Sequence, residues 1–383
     1  MANAVELLSA SPCGRVVRGL EGYETFIPDP LPREVTLNRK LVYLLDEASR
    51  AVAILAGVGE TVPNARLLTN PFLRREAVLS SRIEGTISSL TDVLRLEAFQ
   101  ERDPARSSDA REVANYVWSL EEGLKLLSEL PITTRLVNRV HERLLRGVRG
   151  RDRKPGEIRN RQVWIVPRGA PPEEARFVPP AAEYVPDLLR DWESFVNEDL
   201  EMPPLVQCAL MHYQFEAIHP YEDGNGRIGR LLIILFLCSR GVLPTPLLYL
   251  SAYFERNRAR YYDHLFAVSA TGNWEPWLEF FFRGVAEEAK DALERSRRLR
   301  NLREKYRDRL QKSRQSGTTL HLLDELFASP IMTAPYAAQL LPATPAGARL
   351  VLERLAAAGI LDVDKSHWPH FYTAREILEA VEE

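Results

Sequence analysis

The apolar positions of this chain fall on helical spacings for most of its length. Val113, Val117, Leu120, Leu124 and Leu127 recur every three or four residues, the stripe of an amphipathic helix. Residues 132–146 and 185–197 read the same way. Pro203-Pro204 opens a helix running toward Ile218. The run Leu231-Leu232-Ile233-Ile234-Leu235-Phe236-Leu237 is apolar on every side and predicts a buried helix. Tyr261-Tyr262 falls in a further helix that stops before Gly272. Leu299, Leu302, Tyr306 and Leu310 carry a stripe through a long connecting helix, 293–314, ending at Ser316-Gly317. Helix-like runs at 318–328, 333–341 and 345–358 follow, the last opened by Thr344-Pro345. Gly359-Ile360-Leu361 then leads into a two-stranded wing reaching Tyr372.

Two runs depart from the helical period. Arg161-Gln162-Val163-Trp164-Ile165-Val166 is rich in β-branched and aromatic residues and predicts a short strand. Turn signals flank it, Pro155-Gly156 before and Pro167-Arg168-Gly169 after. Ala175-Arg176-Phe177-Val178-Pro179-Pro180 is a second extended run, so the pair predicts a hairpin. An exposed hairpin edge can accept a strand from another protein.

Composition narrows the class. A 383-residue chain with 45% hydrophobic and 27% charged residues suits a soluble globular protein of two or three domains. No apolar run is long enough for a membrane span. Met1–Leu8 contains Glu6 and no basic lead, unlike a signal peptide. Cys13, Cys208 and Cys238 have no metal or disulfide spacing. A cytoplasmic location is the expectation by exclusion. Charge is unevenly spread: 293–314 holds ten basic and three acidic side chains, a local +7. Residues 318–383 hold four basic and nine acidic ones, a net −5. DNA affinity rests on neutralising phosphates, so the acidic C-terminal region suits protein contact or dimerisation better than DNA.

The chemistry concentrates in His219-Pro220-Tyr221-Glu222-Asp223-Gly224-Asn225-Gly226-Arg227-Ile228-Gly229-Arg230. It is a glycine-rich loop opening onto the start of the buried helix, a geometry that binds phosphate. Gly224 and Gly226 let the backbone approach an anion. Arg227 and Arg230, three apart, share a helix face and can reach one polyphosphate. Asp223 is a hard oxygen ligand suited to Mg2+. His219 can take a proton near neutral pH. Clamp, metal ligand and base together read as nucleotidyl or phosphoryl transfer. The loop lacks the Gly-Lys-Ser/Thr of a Walker motif, and no strand precedes it as a dinucleotide fingerprint requires.

This segment resembles the Fic signature, H-P-[FY]-x-[DE]-G-N-G-R-x-x-R, at every defined position. The resemblance implies a mainly α Fic core with a small β-hairpin flap, and a protein adenylyltransferase that moves AMP from ATP to a target hydroxyl on Ser, Thr or Tyr. It implies that His219 deprotonates that hydroxyl and Asp223 holds Mg2+ on the α- and β-phosphates. Gly224, Asn225 and Gly226 would cradle the anion, and Arg227 and Arg230 would hold the β- and γ-phosphates. Val163, Trp164, Ile165 and Val166 resemble the flap beside the nucleotide. Tyr261 would line the adenine, with Ser269 a further nucleotide contact.

Ser80-Ser81-Arg82-Ile83-Glu84-Gly85 matches the Fic inhibitory motif through Ser80, Glu84 and Gly85. Asn70-Pro71 predicts the start of its helix and Gly85 the end. A Glu84 carboxylate paired with Arg230 would take the place of a γ-phosphate oxygen. The C-terminal region resembles the winged helix-turn-helix found at the end of many Fic proteins. The expected parts are 1–110, a helical region carrying the inhibitory helix; 111–285, the catalytic core; 286–317, the basic connecting helix; and 318–383, the winged-helix-like domain. Expected partners are ATP, a target protein (self-modification included) and a homodimer mate. Three other readings stay open: removal of AMP by way of Glu84, transfer of UMP or phosphate, and a transcriptional regulator with a Fic sensor.

Overall fold

The computed structural model describes residues 4–61, 66–99, 108–166, 174–313 and 315–382. These are mainly helical, with one two-stranded and one three-stranded antiparallel sheet. The chain forms two compact units. One holds Met1–Ala53, Trp118–Leu243 and Leu250–Glu287; the other holds Ile54–Val117, Pro244–Tyr249 and Glu288–Glu383. The four consecutive parts expected from the sequence are therefore regrouped. The first 53 residues join the core, while the helix carrying Glu84 joins the C-terminal region. The expected boundary at 285/286 falls two residues before a border between the units, Glu287/Glu288, inside helix Glu275–Lys312.

In the first unit, helices Pro204–Ile218 and Asn225–Ser239 pack against each other. Helix Val185–Asn197 packs on the former and Thr134–Leu144 on the latter. Leu231 through Leu237 are all buried, as an all-apolar helix requires. The sequence reading missed a hairpin, Gly14–Arg18 paired with Glu24–Pro28, in a region expected to be helical. Phe26 N–H donates to the Val178 carbonyl at 3.0 Å, which ties this hairpin to the flap. The flap itself is thinner than expected. Among the described residues, one antiparallel bridge, Ile165 with Phe177, stands where two strands were expected. Pro179 and Pro180 have no N–H to extend the ladder, and the Val178 carbonyl is spent on Phe26. The Pro167-Arg168-Gly169 turn lies outside the described residues.

In the second unit, the motif helix runs Arg66–Ile83, starting four residues before the expected Asn70-Pro71. Leu67 and Leu68 extend its buried face. Pro71, inside the second turn, forfeits only the bond its N–H would give Leu67. The helix closes as expected: Gly85 has φ +85° and donates to Arg82 O, and Thr86 N–H reaches Ser81 O at 3.0 Å. Buried charges on this helix are paired. Arg74 bonds Glu97 at 2.8 Å, and the Tyr116 hydroxyl donates to Glu76 at 3.1 Å.

Helices Gly317–Ala328 and Arg375–Glu382 of the C-terminal region pack on the motif helix. Between them lie helices Ala334–Leu340 and Pro345–Ala357, and a sheet with Phe371–Thr373 between Ile331–Met332 and Asp362–Asp364. Thr344 caps its helix through Gly347 N–H, as the sequence predicts. The charge asymmetry resolves here. Arg303 and Arg307 bond Asp324, Lys305 bonds Glu376, and Arg309 donates to the Ala358 carbonyl. Arg295 is buried against Asp291 and the Val381 carbonyl. The basic helix is a counter-charge to the acidic C-terminal region.

Candidate active site

His219 ends helix Pro204–Ile218 in the left-handed conformation, φ +51°. Its own N–H donates to Phe215 O at 3.0 Å. Proline at the next position has no N–H to continue the helix onto Glu216 O. The His219 Nδ1 faces that carbonyl instead, at 3.3 Å. A carbonyl only accepts, so in the neutral ring Nδ1 carries the proton and Nε2 carries the lone pair.

The loop then turns through Gly224, φ +84°, which serves as N-cap of Asn225–Ser239. Glycine suits this position because its left-handed φ strains any residue with a Cβ; the space beside it is bounded by the His141 ring and Leu144 at ordinary contact, 3.4 Å. The first intrahelical bond is Ile228 N–H to Gly224 O, so the N–H groups of Asn225, Gly226 and Arg227 form the positive end of the helix dipole. The Asn225 side chain shapes the loop. Its Oδ1 accepts from Tyr221 N–H and its Nδ2 donates to Tyr221 O, both at 2.8 Å. In this arrangement its main chain, not its amide, remains for an anion. Arg227 and Arg230 are both buried, and Arg227 Nη2 lies 3.3 Å from Asp223 Oδ1.

Two organisers come from far along the chain. His141 is fully buried and stacks on Tyr221 at 3.8 Å. Its Nδ1 accepts from Gly156 N–H at 2.8 Å, so Nε2 donates to the Asp223 carbonyl at 2.9 Å. Burial pulls its pKa down to about 4, which keeps this tautomer neutral. Arg159, 2% exposed, donates to the His219 carbonyl at 2.8 Å. Burial lowers its pKa to about 10, against the opposing pull of Glu21 and Glu183, so it stays charged at neutral pH. Glu222 is also enclosed and pairs with Arg161.

Val163, Trp164, Ile165 and Val166 are half-buried, with Trp164 edge-on to Tyr23 at 5.0 Å. Two expectations are corrected. Tyr261 is 1% exposed, stacks on Phe254 at 4.5 Å and gives its hydroxyl to His212. It is a core residue and offers no free face to an adenine. Ser269 is buried against the Tyr213 hydroxyl at 2.9 Å. Tyr262 is half-buried. Ser80, Glu84 and Gly85 belong to the second unit, where Glu84 is the last residue before the left-handed Gly85 turn. Ser80 is buried.

Residues 42–125 match the Fic/DOC family N-terminal model, and residues 131–237 match the Fic/DOC family model. The two modules follow one another along the chain, which thus carries an N-terminal and a catalytic-type region similar to those of the Fic/DOC family. Protein adenylyltransferase fic-1 of Caenorhabditis briggsae is 32% identical over 142 residues, covering 37% of this chain and 24% of that protein. A probable protein adenylyltransferase of Aquifex aeolicus is 33% identical over 91 residues, 24% of this chain and 26% of that one. The match thus spans about a quarter of each relative's length. Two solved structures share the fold. A Fic family protein from Desulfovibrio desulfuricans G20 covers 89% of this chain and 97% of its own, with TM-score 0.57 and 20% identity. A Fic domain containing signaling protein from Bacteroides thetaiotaomicron covers 67% and 97%, with TM-score 0.52 and 20% identity.

Proposed function

We propose that this protein is an adenylyltransferase that moves AMP from ATP to a hydroxyl of a target protein, itself included, and that Glu84 restrains it. The observation that carries the reading is His219 Nδ1 on the Glu216 carbonyl beside a helix N-terminus, because in the neutral ring that tautomer puts the basic lone pair on Nε2. Nε2 takes the proton of the target hydroxyl. The oxygen bonds the α-phosphorus as the bond from that phosphorus to the pyrophosphate oxygen breaks. The N–H groups of Asn225, Gly226 and Arg227 stabilise the charge on the phosphoryl oxygens. Arg227 and Arg230 hold the departing phosphates.

Asp223 fits a Mg2+ shared with the phosphates. Its carboxylate is partly exposed, and Gly150 leaves space beside Oδ2, where a Cβ would come within 2.7 Å. A bound Mg2+ would neutralise phosphate charge there, and one protein carboxylate with substrate oxygens is its usual setting. The flap run beside Phe177 would guide the target segment. Glu84, through its match to the inhibitory motif, would oppose productive ATP binding. The C-terminal region, packed on the helix that precedes Glu84, suits contact with a protein or a second copy more than with DNA, because it is net acidic and Arg303, Lys305 and Arg307 of the basic helix are engaged by its acids. ATP labelled on the α-phosphate and, separately, on the γ-phosphate tests the chemistry. Protein-bound label from the α position alone supports AMP transfer; label from the γ position contradicts it.

A further inference from the structure

We infer that Arg159 is a positioning residue for the base: it fixes the chain corner that carries His219 and ties that corner to the flap. A helix end leaves carbonyls without intrahelical partners. Here one residue gathers three in succession. Arg159 Nη2 donates to Ile218 O at 3.4 Å, Nε to His219 O at 2.8 Å, and its main-chain N–H to Pro220 O at 3.0 Å. The same guanidinium donates to Arg161 O at 3.1 Å and to Pro180 O, one at each run of the flap. All five bonds go to carbonyls.

The corner needs such a hold. A non-glycine residue at φ +51° is strained and persists only where its surroundings over-determine it. Lysine cannot substitute, because an ammonium lacks the planar fork that reaches separated carbonyls. If the corner relaxes, the His219 ring leaves Glu216 O and loses its single tautomer. Because Pro180 and Arg161 share the guanidinium with His219, the strand that would seat the target and the base move as one body. What His219 does chemically rests on the adenylyltransferase reading; where Arg159 holds it does not.

The test uses the full chain carrying Glu84→Gly, with and without Arg159→Lys, labelled with 15N-histidine. His219→Asn identifies the His219 ring signals. The expected result is one tautomer, protonated at Nδ1, in the parent, and an averaged pair of tautomers in Arg159→Lys. With it, kcat for AMP transfer falls about 10- to 100-fold while KM for ATP moves less than about 3-fold. Retention of the single tautomer with kcat within about 3-fold overturns the inference, as does a KM that rises in step with the loss of kcat. If Arg159→Lys fails to fold, Arg159→Gln is read by the same contrast. A parent that transfers no AMP overturns the transferase reading alone; the ring signals still decide the placement, two tautomers supporting it and one overturning it.

Discussion

The carbonyl oxygen of Glu216 lies 3.3 Å from Nδ1 of His219, and proline at position 220 keeps the intervening N–H from claiming it. The His-Pro dipeptide thus selects a tautomer as well as ending a helix. Replacing Pro220 by alanine supplies an N–H that can carry the helix one residue further, at the expense of the left-handed His219. For Pro220→Ala, kcat should fall about tenfold with ATP binding and melting temperature little changed. Steady-state kinetics beside a thermal melt checks this.

His141→Ala should weaken the phosphate loop more than the base. It strands the Gly156 N–H and the Asp223 carbonyl, each costing about 1–3 kcal/mol when buried and unpaired. The expected outcome is a clear loss of urea stability together with a raised dissociation constant for ATP, measured by calorimetry. Unchanged nucleotide affinity would mean that the loop does not depend on His141.

His212 should make acid unfolding steeper. Its Nδ1 donates to the Gly229 carbonyl and its Nε2 accepts from the Tyr261 hydroxyl. Burial, with Arg230 nearby, drops its pKa to about 3. Above pH 6.5 the ring is neutral in both folded and unfolded chains, so its contribution is level. As pH falls below 6.5 the unfolded chain takes the proton first, and stability is lost progressively toward pH 3. The loss reaches about 3 kcal/mol by pH 4. Urea midpoints of wild type and His212→Gln between pH 7 and pH 4 should converge as pH falls.

DNA binding by the C-terminal region should stay within the non-specific range, about 10⁻⁴–10⁻⁶ M. A gel shift with genomic fragments at two salt concentrations checks it. Tight, strongly salt-dependent binding would show that the basic helix can leave its acidic partners.

The site was legible where it was contiguous. The twelve residues His219–Arg230 announce the loop and the helix start together, and the all-apolar Leu231–Leu237 run fixes the burial of that helix. Arg159 and His141 were not legible, since they reach the loop from 60 and 82 positions away and nothing in their own neighbours marks them. Asn225 was legible as a loop residue, but its side chain turns inward to Tyr221, which only coordinates reveal. The N-terminal hairpin had a signal, β-branched residues on both sides of Gly19-Leu20-Glu21-Gly22. Tyr261 illustrates the opposite error: an aromatic on a helix is more often core than ligand surface. The two units interleave three stretches of chain each, so no local composition shift could mark their borders.

On the proposed reading, His219 is the base for AMP transfer and Glu84 restrains that transfer. The most direct measurement is the incorporation of α-phosphate label from ATP into protein by wild type, Glu84→Gly and Glu84→Gly/His219→Ala, incubated with cell lysate. Wild type should label weakly, Glu84→Gly strongly and the double variant not at all. Equal labelling by wild type and Glu84→Gly, or undiminished labelling without His219, would contradict that reading.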